Sequence, residues 1–246
     1  MSRFRDSVTA ELVKVRTVRS LVFGAVLATL AVPLTSLLVV TTGGLGERDT
    51  LTSGAATGTV AGLLAFGAWG AALAASEYVH RTITVSLGAV PHRMTLLGSK
   101  LAAAVLVASI GATGSVLLSL VLVRSAAPPH HRLGDPWSLA GIVLAVAAVT
   151  VVGAAVGVVA RSSTASIAVV AAAVLLPQAA AGLLGGLQPW VVGASPGAVV
   201  TQLVHGAQLT EDQTYPGGTA LAVLSMLAFA AAVAVAGAFE FERRDG

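Results

Sequence analysis

The sequence predicts an all-α membrane protein that crosses the bilayer six times, and three observations carry that expectation. Hydrophobic residues make up 56% of the 246-residue chain, only 10% are charged, and the mean hydropathy is +0.89. A soluble domain carries about 25% charged residues and has no interior large enough to hide so much apolar surface. The charges are also patterned. They punctuate runs free of Asp, Glu, Lys and Arg, and each run holds the ~20 residues a helix needs to cross a ~30 Å hydrocarbon core.

Taken in order, the spans are expected at about residues 20–41, 54–76, 101–123, 138–160, 165–187 and 219–239, within one transmembrane domain covering 1–246. The first run is longer than the ~7–15 residues of a signal-peptide core and comes after a charged leader, so it reads as a retained span. The uncharged run 162–210 is too long for one crossing. Its breakers, Gln188-Pro189-Trp190 and Ser195-Pro196-Gly197, predict a helix end near Leu187, with Trp190 at the membrane interface. The stretch from there to about Gly218 reads as an external segment, whose apolar residues 198–204 form a short helix on or dipping into the surface.

Orientation is read from the alternating loops. With the N-terminus inside, one side collects Arg3, Arg5, Lys14, Arg16, Arg19, Arg81, Arg93, Lys100, Arg161, Arg243 and Arg244. The other holds only Arg48, Arg124 and Arg132. Eleven against three predicts that both termini are cytoplasmic. The net charge of +3 and pI near 10 therefore report topology, not nucleic-acid binding. Cysteine is absent, which excludes disulfides, thiolate metal sites and a cysteine nucleophile.

Two segments on the inner side carry more pattern than a connector needs. Phe4, Val8, Leu12 and Val15 share one helical face, with Lys14 among the basic residues around it and Glu11 near its edge. This predicts an amphipathic helix lying in the membrane interface. The second segment, residues 77–100, is divided by Pro91 and includes Glu77, Tyr78, Arg81, Thr82 and Arg93; a short helix exposed to the cytoplasm is expected before the proline.

At these two segments the chain resembles the permeases of bacterial type-2 ABC exporters. Glu11-Leu12-Val13-Lys14-Val15-Arg16-Thr17 is similar to their N-terminal connector. Glu77-Tyr78-Val79-His80-Arg81-Thr82-Ile83, with Leu87, Pro91 and Arg93, is similar to the cytoplasmic loop between their second and third spans. Phe241-Glu242-Arg243-Arg244-Asp245 is similar to the family's close, and where many members carry glycine before the threonine this chain has Arg81. The resemblance implies a bacterial plasma-membrane subunit that pairs with a second permease copy or paralogue. It also implies cytoplasmic ATPases docked on residues Glu77, Tyr78, Arg81, Thr82 and Arg93, exporting an amphipathic substrate. ATP and magnesium then sit on the partner, and this chain holds no cofactor. Its sequence agrees in lacking a G-x-x-x-x-G-K-[ST] loop, since Gly98-Ser99-Lys100 has neither the first glycine nor the final hydroxyl. The main alternative is a membrane scaffold or sensor that recruits a cytoplasmic partner through the same loop.

Other motifs are weaker. Gly193-Ala194-Ser195-Pro196-Gly197 matches G-x-S-x-G, with His205 and Asp212 downstream, but a catalytic elbow needs a strand–turn–helix context and proline after the serine reads as a turn. His130, His131 and Asp135 offer metal-ligand types, although adjacent histidines point apart on most backbones. The spans hold no ionisable residue near their middles, which argues against proton coupling within this chain. Gln178 beside Pro177 is the most polar side chain at depth, read either as lining a pathway or as an interhelical hydrogen bond. Glycines at four-residue spacing, Gly54/Gly58/Gly62, Gly153/Gly157 and Gly182/Gly186, mark close helix approaches within one subunit or at a dimer seam.

Overall fold

The computed structural model describes residues 2–79, 92–205, 209 and 214–244, and among them every regular element is a helix. The elements are α1 (Ser2–Thr17), α2 (Arg19–Thr41), α3 (Leu51–Ala56), α4 (Thr59–Val79), α5 (Arg93–Ala126) and α6 (Trp137–Ala160). After them come α7 (Ser163–Ala179), a 3-10 turn (Gly185–Leu187), α8 (Gln188–Val191), α9 (Pro196–His205) and α10 (Thr219–Arg244). Among the described residues, five segments are long and apolar enough to cross a membrane: Arg19–Thr41, Leu51–Tyr78, Met94–Ala126, Trp137–Ala160 and Thr219–Arg243. The molecule is a polytopic helical membrane protein.

Burial sorts the spans into a centre and a perimeter. The Leu51–Tyr78 and Trp137–Ala160 segments are each 67% buried, whereas the α2 and α10 spans are 22% buried and the α5 span 28%. The two central helices meet backbone to backbone. A β-carbon on Gly153 would collide with the Gly67 carbonyl oxygen, and one on Gly157 would lie 2.7 Å from that of Ala71. Small residues are required there because association in lipid depends on close van der Waals packing instead of water exclusion. Phe66, Leu63, Ile142, Val146, Val170, Val174 and Val199 fill the core around that contact. The glycine pairs at 58/62 and 153/157 thus serve packing within one chain.

The second span is broken. α3 ends at Ala56 and α4 begins at Thr59, and Gly58 between them lies against the Val32 carbonyl of α2, where a β-carbon would collide. Ser36 of α2 bridges the break: its hydroxyl donates to the Ala55 carbonyl at 3.0 Å and accepts from the Gly58 N–H at 3.0 Å. Ser119 of α5 donates to the same carbonyl at 2.9 Å. Backbone groups freed in an apolar surrounding must be satisfied in this way.

The fifth expected span is shorter than its uncharged run. α7 stops at Ala179, not near Leu187, because Gly182 takes the left-handed conformation at φ 86° and the chain turns back. The Gly182 N–H donates to Gln188 Oε1 at 2.6 Å, closing that turn. Residues 198–204 do form a helix, α9, and it packs into the protein: Val199, Val200 and Gln202 are buried, and Leu203 fills the space over Gly141 of α6. Gln202 clamps the surrounding segment, donating to the Gly193 carbonyl at 2.8 Å and accepting from the Tyr215 N–H at 3.2 Å.

The two ends of the bundle are distinct. Ala74, Leu97, Ala154, Val158 and Phe241 form one small cluster, so the C-terminal turn of α10 lies at the end where α4 finishes and α5 begins. Val40, Leu51 and Val123 close the opposite end.

Candidate functional site

A helix with a polar inner face begins the site. α1 forms where expected, but the stripe it buries is Ser7, Glu11 and Val15, at four-residue spacing, and its contacts are with the start of α5 and with α2. Phe4 is 45% exposed, with its ring edge 3.5 Å from where a β-carbon on Gly98 would sit, and Val8 and Leu12 are half-buried. Of the apolar face Phe4, Val8, Leu12 and Val15, only Val15 is buried against the rest of the protein. Glu11 and Lys14, one turn apart, meet partners on other helices.

Those partners are Glu77, near the end of α4, and Lys100, in the second turn of α5. Glu77 Oε1 accepts from Lys14 Nζ at 2.6 Å and lies 2.9 Å from Lys100 Nζ. Lys100 Nζ also donates to Glu11 Oε1 at 3.1 Å, and Lys14 Nζ is 3.8 Å from Glu11 Oε2. Two cations and two anions alternate in a closed ring with no net charge. The side chains of Glu11, Glu77 and Lys100 are each less than one-tenth exposed, and that of Lys14 is about one-quarter exposed. At this depth each charge relies on the others, because an isolated ion there would lose several kcal/mol of hydration. Glu11 Oε2, Glu77 Oε2 and Ser7 Oγ accept no hydrogen bond among the described residues.

The next residue extends the hub. Arg161 caps α6, and its guanidinium carbon lies 5.1 Å above the ring of Tyr78. Arg161 holds the left-handed conformation at φ 51°, a state that costs a non-glycine residue about 1–2 kcal/mol. The strained cap aims the side chain back at α4. Consecutive residues at the end of the second span thus receive charge from α1, from α5 and from the α6 terminus.

Of the residues expected in the loop, Glu77 and Tyr78 are helical, in the last turn of α4, and Arg93 is the first residue of α5. Arg81, Thr82 and the expected cytoplasmic helix lie outside the described residues. The Glu77 carboxylate is buried, with two lysines converging on it. Gln178 and Pro177 stand elsewhere. Gln178 is exposed on α7 with its amide pressed against Gly197 of α9, and Pro177 is half-buried.

The remaining candidates are engaged locally. Ser195 is buried, and its hydroxyl accepts from Ala198 N–H at 3.4 Å, at the start of α9. His205 ends the same 10-residue helix, about 15 Å away, so the two do not form a nucleophile–base pair. Asp212 lies outside the described residues. His131 Nδ1 is 2.9 Å from the Asp49 carbonyl oxygen, and Asp135 caps α6 by accepting the Trp137 N–H at 3.0 Å. No group of three His, Asp or Glu side chains converges as a metal site among the described residues.

Reading the sequence alone misses the ion ring, because it counts Lys14 and Lys100 only as positive charge and Glu11 only as a blemish on an apolar face. A signal exists nonetheless. These are the chain's two lysines, each at the edge of an apolar run, with Glu11 one turn before Lys14 and Glu77 closing the apolar run before the one that Lys100 opens. No protein-family model matches the chain, and no curated protein matches it either.

Proposed function

We propose that this chain is the membrane-spanning permease subunit of an ATP-driven exporter in the bacterial plasma membrane, with six crossings and both termini in the cytoplasm. The sixth crossing is α7, whose 17 residues extend about 26 Å, at the lower limit for a span. α7 starts beside Arg161 at the α1 end and α10 starts near Tyr215 at the other, so the chain between them traverses the bundle. Two copies, or this chain and a paralogue, enclose the pathway for an amphipathic substrate. The ATP and magnesium belong to separate cytoplasmic ATPases.

The observation that carries this reading is the ion ring, because it ties the base of α4, the base of α5 and α1 to one another. The chain between those two bases, residues 80–91, is the segment whose sequence resembles an ATPase-docking loop. A push on that loop is delivered to two spans and the interfacial helix together, which is what coupling hydrolysis to movement requires. Arg81 and Thr82 would contact the ATPase, while Glu77 positions the loop from inside.

The test is capture of a cytoplasmic ATPase by copurification from native membranes, followed by reconstitution with it. Wild type should copurify with that ATPase and link its turnover to substrate movement in liposomes. Arg81→Ala/Thr82→Ala should weaken copurification with the thermal midpoint unchanged. Unimpaired copurification and transport by that variant would remove the loop from the coupling path, and a chain that recruits the ATPase without moving any substrate would point to the scaffold role.

A further inference from the structure

A concavity of about 580 Å³ lies at the end of the bundle opposite α1, between the close of α5 and the loop after it. Its upper wall carries Arg124, in the last turn of α5, and Arg132; its floor is Leu51, Leu120 and Val121. The loop is held by the rest of the protein. The Leu51 N–H donates to the Arg132 carbonyl at 2.9 Å, and the buried His131 ring is anchored on the Asp49 carbonyl oxygen at 2.9 Å. Arg132 is thereby placed over the end of α5 by backbone contacts, with its side chain exposed.

Neither guanidinium is in an ion pair among the described residues. Asp49 accepts the Gly46 N–H and faces His205, Asp135 accepts the Trp137 N–H at the start of α6, and Glu47 pairs with neither arginine among the described residues. Below the arginines the concavity opens onto the outward face of α5, where Leu117 and Val121, one turn apart, are 58% and 64% exposed. In a membrane-spanning helix such a strip lies against acyl chains. By sequence this end holds only Arg48, Arg124 and Arg132, and two of the three line one apolar concavity.

We infer that the concavity seats an anionic phospholipid of the surrounding leaflet, its phosphate between Arg124 and Arg132 and an acyl chain along Val121 and Leu117. Paired guanidiniums match phosphate oxygens in charge and geometry. A choline headgroup brings its own cation toward the same arginines, so the site prefers phosphatidylglycerol to phosphatidylcholine. The inference does not rest on the transport reading.

The experiment measures lipid retention by native mass spectrometry on the purified full chain, titrated with phosphatidylglycerol or phosphatidylcholine. Wild type should retain phosphatidylglycerol preferentially. R124Q/R132Q should lower that affinity about tenfold or more, as expected for losing hydrogen bonds to a charged group, and leave phosphatidylcholine retention unchanged. R124K/R132K should bind more weakly than wild type yet keep part of the preference, since lysine retains the charge but not the planar fork, and Arg48→Gln should keep all of it. A thermal midpoint equal to wild type in detergent shows that the glutamine variant is folded. Should it not fold, a photoactivatable phosphatidylglycerol on the wild-type protein decides the matter, with crosslinks expected in residues 117–133. Equal retention of the two lipids by wild type, unchanged retention by the folded glutamine variant, displacement by inorganic phosphate alone, or crosslinks confined to other regions would each overturn the assignment.

Discussion

Glu77 receives two ammonium groups on one carboxylate oxygen, and this geometry makes its replacement asymmetric. Removing the carboxylate alone leaves Lys14 and Lys100 sharing Glu11, with one positive charge uncompensated in a largely buried site, so Glu77→Ala should cost about 3–5 kcal/mol, read as a lowered thermal midpoint of the purified protein. Replacing the whole ring by apolar residues of similar size, Glu11→Leu, Lys14→Met, Glu77→Leu and Lys100→Met, should recover much of that loss, because no charge is then left unpaired. If the single replacement leaves the midpoint unchanged, the ring is not the closed network described. Arg161 offers an independent check on the same hub. Arg161→Gly relieves the left-handed backbone and loses the contact with Tyr78, whereas Arg161→Ala loses the contact and keeps the strain. The glycine variant should therefore melt higher than the alanine variant by about 1 kcal/mol of stability; the reverse order would contradict the assigned cap conformation.

At the scale of elements, the broken second span and the shortened fifth have different causes. The break at Gly58 is held by a hydroxyl from a neighbouring helix, while α7 ends through its own backbone at Gly182. Ser36→Ala removes both the acceptor for the Gly58 N–H and one donor to the Ala55 carbonyl, which Ser119 still serves. The expected cost is about 1–3 kcal/mol, dominated by the orphaned N–H. Faster amide exchange at Gly58 than at its helical neighbours in Ser36→Ala, but not in wild type, would locate the effect; equal exchange in both would mean the bridge contributes nothing. The α4–α6 contact is less forgiving. Gly153→Val would force the two central backbones apart and should abolish folded protein in the membrane, whereas Gly186→Val, where a side chain meets open space, should be silent.

For the whole molecule, α1 and the close of α10 lie at the end that holds the ion ring, while Arg48, Arg124 and Arg132 belong to the other. The absence of cysteine allows this to be tested in cells by single introduced thiols. Cysteine at Arg48 or Leu133, both exposed, should react with an impermeant maleimide applied from outside, and cysteine at Arg16 or Glu242 only after permeabilisation. Ser53 and Ser138 are poor probes because both are buried. Labelling of the Arg16 position in intact cells would reverse the orientation read from the charges.

Local sequence determined the helical class, the approximate place of every long span and the distribution of the charges, because each depends on summed composition along a short stretch. The α2, α6 and α10 limits fall within a few residues of the expected ones, apart from the longer C-terminal end of α10. Composition did not decide where α7 stops, since an uncharged run does not show that Gly182 takes the left-handed conformation and closes its turn on Gln188. Tertiary structure decided which face of α1 turns inward. The apolar stripe marks an amphipathic helix, but which of its residues meet other helices depends on Glu11 and Lys14 finding partners on α4 and α5. Lys14 and Glu77 are 63 residues apart, and Glu11 and Lys100 are 89 apart. No local pattern records such a meeting; it exists only once the second and third spans have brought their ends together beside α1.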